Sequence, residues 1–127
     1  MTTTLTFRVP LKSALVSNRQ PGNRHQLAAM RRKLHELATS VASAHPPVAT
    51  PCTATWTVRY AKGTTWKADP DNCQPTSKAL LDACVKAGLL EYDAPRYVVS
   101  TTYQRGPNLD ERGLYELTLE LTPLEAS

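Results

Sequence analysis

The sequence lacks the features that mark membrane and secreted proteins. No apolar run approaches the roughly 20 residues that a membrane-spanning helix needs. The first residues do not follow the basic, apolar and small-residue order of a secretion signal. Internal repeats and low-complexity segments are also missing. We therefore expect a cytoplasmic protein without a membrane segment.

Cysteine and histidine are few and badly spaced for binding a metal. The three cysteines, Cys52, Cys73 and Cys84, are odd in number and do not follow a metal-ligand spacing. The three histidines stand ten residues apart, which fits no shared metal site. We expect reduced thiols, with Cys73 acting only as a small residue at the start of a helix.

Length and charge set further bounds. The chain has 127 residues, enough for one domain with a single core, and 41% of them are hydrophobic and 20% charged. We expect one domain over residues 1–127, with about 122–127 as a flexible tail. The net charge of +4 permits nucleic-acid binding without demanding it.

Hydrophobic periodicity predicts four strands and two helices. The strands are predicted at 4–9, 53–60, 96–105 and 114–121, and the helices at about 24–44 and from 72–75 to Gly88. Residues 106–113 are predicted to form a hairpin loop. The third strand is predicted to carry Tyr97, Val99, Thr101 and Tyr103 on one face. The order strand, helix, strand, helix, strand, strand predicts an α/β or α+β fold, a mixed sheet with two helices packed on it.

Two carboxylates stand immediately before the second predicted helix. Asp69 and Asp71 would point to the same side of an extended chain, with Cα atoms roughly 6.5 to 7 Å apart. Mg²⁺ favours one or two carboxylates, with its other positions filled by water and phosphate oxygens. The alternative is that these residues serve only as turn and capping residues, a role for which Asn72 is also suited.

A longer pattern extends this acidic pair. It consists of Asp69-x-Asp71-Asn72, Lys78-Ala79-Leu80-Leu81-Asp82, Ala87-Gly88-Leu89-Leu90 and Asp93, with weaker similarity in Leu5-Thr6-Phe7-Arg8-Val9-Pro10 and Ser17-Asn18-Arg19. The pattern resembles the RusA-type Holliday junction resolvases, which are small, dimeric, magnesium-dependent endodeoxyribonucleases often encoded by phages and prophages. Lys78 follows Asp71 at a longer distance than in the shorter members of that family.

The resemblance implies a site and an activity. It makes Asp69, Asp71 and Asp93 the ligands of Mg²⁺, for which Mn²⁺ can substitute, and Lys78 the basic catalytic partner. It also implies a homodimer that resolves four-way DNA junctions by paired phosphodiester hydrolysis in recombination and repair. Two alternatives remain: a magnesium-dependent nuclease for flaps or other branched DNA, and a DNA-binding or structural dimer without catalysis.

Helix geometry separates the acidic residues that follow. Asp82 lies roughly 15 Å along the predicted helix from Asn72, too far to share a metal with the acidic pair. Asp82 lies four residues after Lys78, so it can instead pair with that lysine. We treat Asp82 and Asn72 as supporting residues. Asp93 follows the helix, so either the chain turns back to its own site or a partner subunit supplies it.

Basic and aromatic residues complete the predicted DNA surface. The candidates for phosphate contacts are Arg19, Arg24, Arg31, Arg32, Lys62 and Lys67, with ordinary solvated surface as the alternative. Trp66 is interpreted as a packed side chain, with stacking on an unpaired base as the alternative.

Overall fold

The computed structural model describes residues 1–11 and 24–124. Its elements are β1 (Thr3–Pro10), α1 (Arg24–Ala42), β2 (Cys52–Arg59), α2 (Gln74–Lys86), β3 (Val98–Arg105) and β4 (Leu114–Pro123). A short 3₁₀ helix, Pro70–Cys73, runs directly into α2. One small domain with a mixed four-stranded sheet and two helices confirms the predicted fold class.

The strand order in the sheet is β1-β4-β2-β3. β4 is antiparallel to both β1 and β2, whereas β2 and β3 are parallel. A parallel pair needs a crossover connection, and the segment containing α2 supplies it. The crossover brings the end of β2, the start of α2 and β3 to one side of the molecule.

The predicted hairpin at 106–113 is wrong, because β3 and β4 are not neighbours. This segment crosses the end of β2 instead, where the N–H of Gly106 donates to the Val58 carbonyl and the N–H of Leu109 to the Tyr60 carbonyl. β4 then enters the middle of the sheet. Its inward residues are large and apolar, as a central strand requires, and they are Tyr115, Leu117, Leu119 and Leu121.

The core lies between one face of the sheet and the two helices. Trp56 on β2 is 1% exposed and its ring centre lies 6.1 Å from that of Phe7 on β1. The helical stripe predicted for α1 is confirmed: Leu34 is buried, and Leu27, Met30, Leu37 and Val41 are partly buried against the core. The helix ends at Ala42, two residues before the predicted end.

The alternation predicted for β3, with Val99, Thr101 and Tyr103 on one face, is correct only for the second half of the strand. The pairing of β2 with β3 shifts by one residue after Cys52, so Cys52 faces Val98 while Thr53 faces Ser100. This irregularity buries Val98 and leaves Val99 44% exposed, contrary to the prediction. Beyond it the alternation holds, and Tyr103 lies opposite Trp56.

The last strand extends further than predicted. β4 continues through Pro123, which places residues 122 and 123 of the predicted tail in the sheet, and the Leu124 N–H donates to the Pro51 carbonyl. Residues 125–127 lie outside the described part of the chain. Over the described ranges, neither helix combines the length and apolarity needed to cross a bilayer.

Candidate active site

The acidic pair lies at the start of the 3₁₀ helix. Asp69 precedes it with extended backbone angles (φ −74°, ψ 143°), and Asp71 lies in its first turn. The predicted extended geometry therefore holds for Asp69 alone, because Pro70 has a φ suited to beginning a helix there. Both aspartates are exposed. The Asp69 side chain makes no capping hydrogen bond, so its carboxylate is not occupied by the capping role considered as the alternative.

Asn72 does not cap α2. It lies within the 3₁₀ helix, where its backbone N–H donates to the Asp69 carbonyl at 3.3 Å. The capping position of α2 falls to Cys73, and proline follows in the first turn as predicted. Asn72 lies too early in the chain to cap α2, because the 3₁₀ helix that contains Asp71 continues to Cys73. Its backbone forms part of the turn that carries the acidic pair, and a supporting role for its side chain stays a prediction.

Side chains from elsewhere in the fold hold the loop that leads into the acidic pair. Arg105, at the end of β3, donates to the carbonyls of Thr65 at 2.9 Å and Ala68 at 2.8 Å. Asn108 accepts a further bond from Arg105 at 2.7 Å and donates to the Thr64 carbonyl at 2.8 Å. These bonds occupy backbone acceptors that a loop would otherwise leave to water. They fix the approach to the acidic pair.

Tyr60 holds the backbone of Asp69 by a hydrogen bond. Its hydroxyl donates to the Asp69 carbonyl, and the Arg105 guanidinium lies 4.9 Å from the centre of its ring. Burial raises the pKa of Tyr60 to about 12, the nearby Cys73, Asp71 and Asp69 also raise it, and Arg105 lowers it. The hydroxyl therefore remains a donor at neutral pH.

Cys73 has a structural role here. It is buried at the junction of the 3₁₀ helix and α2, and its thiol donates to the Pro70 carbonyl at 3.1 Å. Burial raises its pKa to about 12, so the thiolate needed for nucleophilic or metal-binding chemistry is scarce at neutral pH. The prediction of a small residue at a helix start is confirmed.

Lys78 lies one turn into α2, beside a cavity of about 290 Å³ between α2 and β3. The cavity is lined by Trp56, Gln74, Ser77, Lys78, Leu81, Asp93, Thr101 and Tyr103. The hydroxyls of Ser77 and Tyr103 lie 2.8 Å apart and join α2 to β3. Burial raises the pKa of Tyr103, the hydrogen bond with Ser77 lowers it, and the charges of Cys73 and Asp71 raise it further.

Asp93 meets Asp82 near the third turn of α2. Burial raises the pKa of Asp82, and so do the hydrogen bond that its protonated carboxyl group donates to Asp93 and the charge of that residue, whereas Lys78 and Lys86 lower it. Two carboxyl groups this close favour sharing a proton or a cation. The predicted ion pair between Lys78 and Asp82, both in the described part of the chain, is not formed, and the charge of Lys78 acts on Asp82 only by lowering its pKa. The pairing of Asp82 with Asp93 was not predicted.

Asp69 and Asp71 are close neighbours in the chain, whereas Asp93 follows α2 and contacts Asp82. Across residues 1–11 and 24–124, no group of three or more His, Cys, Asp or Glu side chains is arranged to hold a metal ion. Asp69 and Asp71 remain as a neighbouring pair, which fits the one or two carboxylates that Mg²⁺ uses beside water and phosphate. The place of Asp93 in the metal site stays a prediction, as does its supply by a partner subunit.

The predicted basic residues are spread over the surface. Arg24, Arg31 and Arg32 are exposed on α1, and Lys62 and Lys67 are exposed in the loop after β2; Arg19 lies outside the described residues. Arg31 faces α2 across a groove that also contains Lys78. Lys67 lies beside the acidic pair, with its ammonium 5.7 Å from the centre of the Trp66 ring.

Trp66 is not packed, contrary to the prediction. It is 81% exposed, at the rim of a surface cavity that also includes Arg105, Gly106 and Pro107. The loop backbone is held inward by Arg105, which leaves the indole on the outside. An exposed aromatic ring beside a lysine is suited to stacking on a nucleic-acid base.

Sequence reasoning missed the residues that support the loop. Arg105 continues the alternation of Thr101 and Tyr103 on the inward side of β3. An arginine in such a position needs acceptors, because a partly buried charge without partners is costly. That signal was present in the sequence. The identity of the acceptors, in a loop some 40 residues away, was not.

Comparison with known protein families gives no match to this chain, and comparison with curated proteins gives none either. The function therefore has to be argued from the residues and their arrangement.

Proposed function

We propose that the protein is a magnesium-dependent, structure-selective endodeoxyribonuclease that resolves four-way DNA junctions, as its resemblance to RusA-type resolvases implies. The observation that supports this best is the exposed Asp69 and Asp71 pair on a hydrogen-bonded loop, followed by Lys78 in α2. The activity would serve recombination and repair in the cytoplasm.

The acidic pair would hold the metal. When bound, Mg²⁺ lowers the pKa of a coordinated water and neutralises charge on the phosphate. Asp69 and Asp71 supply hard oxygen ligands of the type that this ion prefers. Tyr60 and Arg105 hold the backbone beneath them, which limits the reorganisation needed when substrate binds.

Lys78 would act on the scissile phosphate. Its side chain lines the cavity between α2 and β3, and a helical side chain leans toward the N-terminus of its helix, here toward the acidic pair. The ammonium group would donate to a phosphate oxygen as negative charge builds up on it. One well-placed donor of this kind contributes about 3 kcal/mol to the stability of a transition state.

Asp93 would be the third acidic residue of the site. It lines the Lys78 cavity, although it does not join Asp69 and Asp71 in a three-ligand group over the described residues. Two symmetric incisions in a junction call for two sites related by a twofold axis, which a homodimer provides. A second chain could also contribute Asp93 across the dimer.

Trp66 would recognise the branch point. Bases at a junction or flap are less completely stacked than those in a duplex, and stacking on an aromatic side chain contributes about 1 to 3 kcal/mol per base. The indole is 81% exposed beside Lys67, which is available for a neighbouring phosphate.

The test is cleavage of a labelled synthetic four-way junction beside matched linear duplex and flap DNA. Each substrate is incubated with Mg²⁺, with Mn²⁺ and with no divalent ion, using the wild type and Asp71→Asn. Asp110→Asn is the matched control, because Asp110 is an exposed aspartate in the 106–113 segment. We expect paired symmetric nicks in the junction that require metal and are lost in Asp71→Asn alone.

Other outcomes would change the proposal. Equal cutting of all three substrates would replace a resolvase by a general nuclease, and preferential cutting of the flap would indicate another branched substrate. Junction binding without cutting under any condition would contradict catalysis and leave a DNA-binding protein.

A further inference from the structure

A second cavity lies on the other side of Lys78, between α1 and α2. Its volume is about 430 Å³, and its lining residues are Arg31, His35, Pro75, Lys78, Ala79, Asp82 and Lys86. Lys78 lines both this groove and the cavity that contains Asp93, so its side chain borders the two.

The groove is a consequence of helix periodicity. Arg31 and His35 are four residues apart, so they lie on one face of α1. Lys78, Asp82 and Lys86 follow the same spacing along α2. Each helix therefore presents one row of polar side chains above the apolar contact that joins them.

The charge of the groove is positive. Arg31, Lys78 and Lys86 carry three positive charges against the single carboxylate of Asp82, which is itself engaged with Asp93. Lys78 and Lys86 are separated by two helical turns, roughly 12 Å along the axis. That length equals the rise of about three to four successive phosphates of one strand along the axis of duplex DNA.

We propose that this α1–α2 groove binds the sugar–phosphate backbone of the DNA substrate and guides one strand to the acidic pair. The inference rests on the proposed nuclease function, because that function makes DNA the polyanion that reaches Lys78. The groove adds a sequence-independent contact surface that begins at the site and leads away from it. Arg31 and Lys86 are its phosphate-binding residues.

The test is DNA binding by the double variant Arg31→Gln/Lys86→Gln, compared with the wild type and Lys33→Gln. Glutamine removes the charge and keeps a good helix former. Lys33 is an exposed cation on α1 that does not line the groove, so it controls for the loss of charge alone. Fluorescence anisotropy with a four-way junction and with duplex DNA, in Ca²⁺ to prevent turnover, is measured from 50 to 300 mM salt.

We expect the double variant to bind both DNAs about tenfold or more weakly near 100 mM salt. The slope of log affinity against log salt should fall by about one for each lost contact, while Lys33→Gln changes neither quantity appreciably. Thermal melting of all three proteins checks that the fold is intact.

An unchanged affinity and salt slope in the double variant would overturn the groove inference, even if the wild type cleaves junctions normally. That result is also the one expected if the groove served an acidic protein partner. A wild type that binds DNA but never cuts it would sink the nuclease alone. A wild type that binds neither DNA would overturn both proposals.

Discussion

At the scale of single residues, Arg105 is the side chain on which the approach to the acidic pair depends most. It donates to two loop carbonyls and to Asn108, which itself holds a third carbonyl of the same loop. A lone guanidinium thus joins the end of β3 to the segment that presents Asp69. Removing the Arg105 side chain should therefore disturb the structure of the loop more than the packing of the core.

We therefore predict that Arg105→Met loosens the loop and destabilises the protein. Hydrogen bonds to charged groups contribute about 1.5 to 3 kcal/mol each, so the free energy of unfolding should fall by about 1 to 3 kcal/mol once partial replacement by water is considered. Hydrogen exchange should accelerate at the amides of Thr64 and Ala68, which are hydrogen-bonded within this loop.

The matched control for that change is Arg32→Met, at an exposed position on α1. Urea unfolding and amide exchange followed by NMR measure the two effects separately. Equal stability and equal exchange in Arg105→Met and Arg32→Met would contradict the supporting role of Arg105.

At the scale of elements, the two tryptophans report opposite environments. Trp56 lies on the central strand β2 and is 1% exposed, whereas Trp66 lies in the following loop and is 81% exposed. Ten residues of the same chain thus separate the centre of the core from the surface. The difference follows from the end of β2, where the chain leaves the sheet and its side chains lose the cover of the helices.

We predict that Trp56→Ala and Trp66→Ala separate stability from DNA binding. Trp56→Ala should cost about 3 to 5 kcal/mol of unfolding free energy, because it opens a large void against Phe7. Trp66→Ala should change stability by no more than about 0.5 kcal/mol, as is usual at the surface. In an anisotropy assay with both DNAs, Trp66→Ala should weaken junction binding more than duplex binding.

Urea unfolding and anisotropy with both DNAs measure these effects. A large loss of stability in Trp66→Ala would mean that the indole is packed after all. Unchanged junction binding in that variant would remove Trp66 from the proposed recognition surface while leaving the acidic pair untouched.

At the scale of the whole molecule, several buried thiols and phenols make the folded protein less stable at alkaline pH. Burial raises the pKa of Cys84 to about 12 from an ordinary 9.0, and it also raises the pKa values of Cys52 and Tyr115. Below pH 9 both the folded and the unfolded chain hold these protons. Above it, the unfolded chain releases protons that the folded protein retains, so unfolding becomes more favourable.

We predict a free energy of unfolding that declines steadily as the pH rises from about 9 toward 12. Cys84→Ala removes one of the titrating groups, so its decline over the same range should be shallower than that of the wild type. Urea unfolding at pH 8, 9, 10 and 11 measures both curves. A wild-type curve that stays level to pH 11 would contradict the prediction.

Local patterns in the sequence sufficed for much of the fold. The stripe of α1 follows from the spacing of Leu27, Leu34 and Val41, and the inward face of β4 follows from strict alternation. Both patterns express geometry that a segment has by itself, 3.6 residues per turn or two per repeat. The exposed acidic pair could be found in the same way, since its two members are neighbours in the chain.

The errors share one physical cause, which is that strand pairing and burial depend on distant segments. The predicted hairpin failed because β4 pairs with β1 and β2, and Val99 was assigned to the wrong face because the irregular pairing begins at Cys52. Trp66 was expected to pack because nothing nearby in the sequence shows that Arg105 holds its loop.

The sequence by itself determined which segments are helices and strands, and it placed two carboxylates and a lysine around the start of α2. Only the tertiary structure decided that Asp93 lies beside Asp82, that Tyr60 and Arg105 support the acidic loop, and that Lys78 lines two cavities. Short-range order follows from backbone geometry and side-chain period. The surroundings of a site are set by chain segments that meet only once the hydrophobic core has formed.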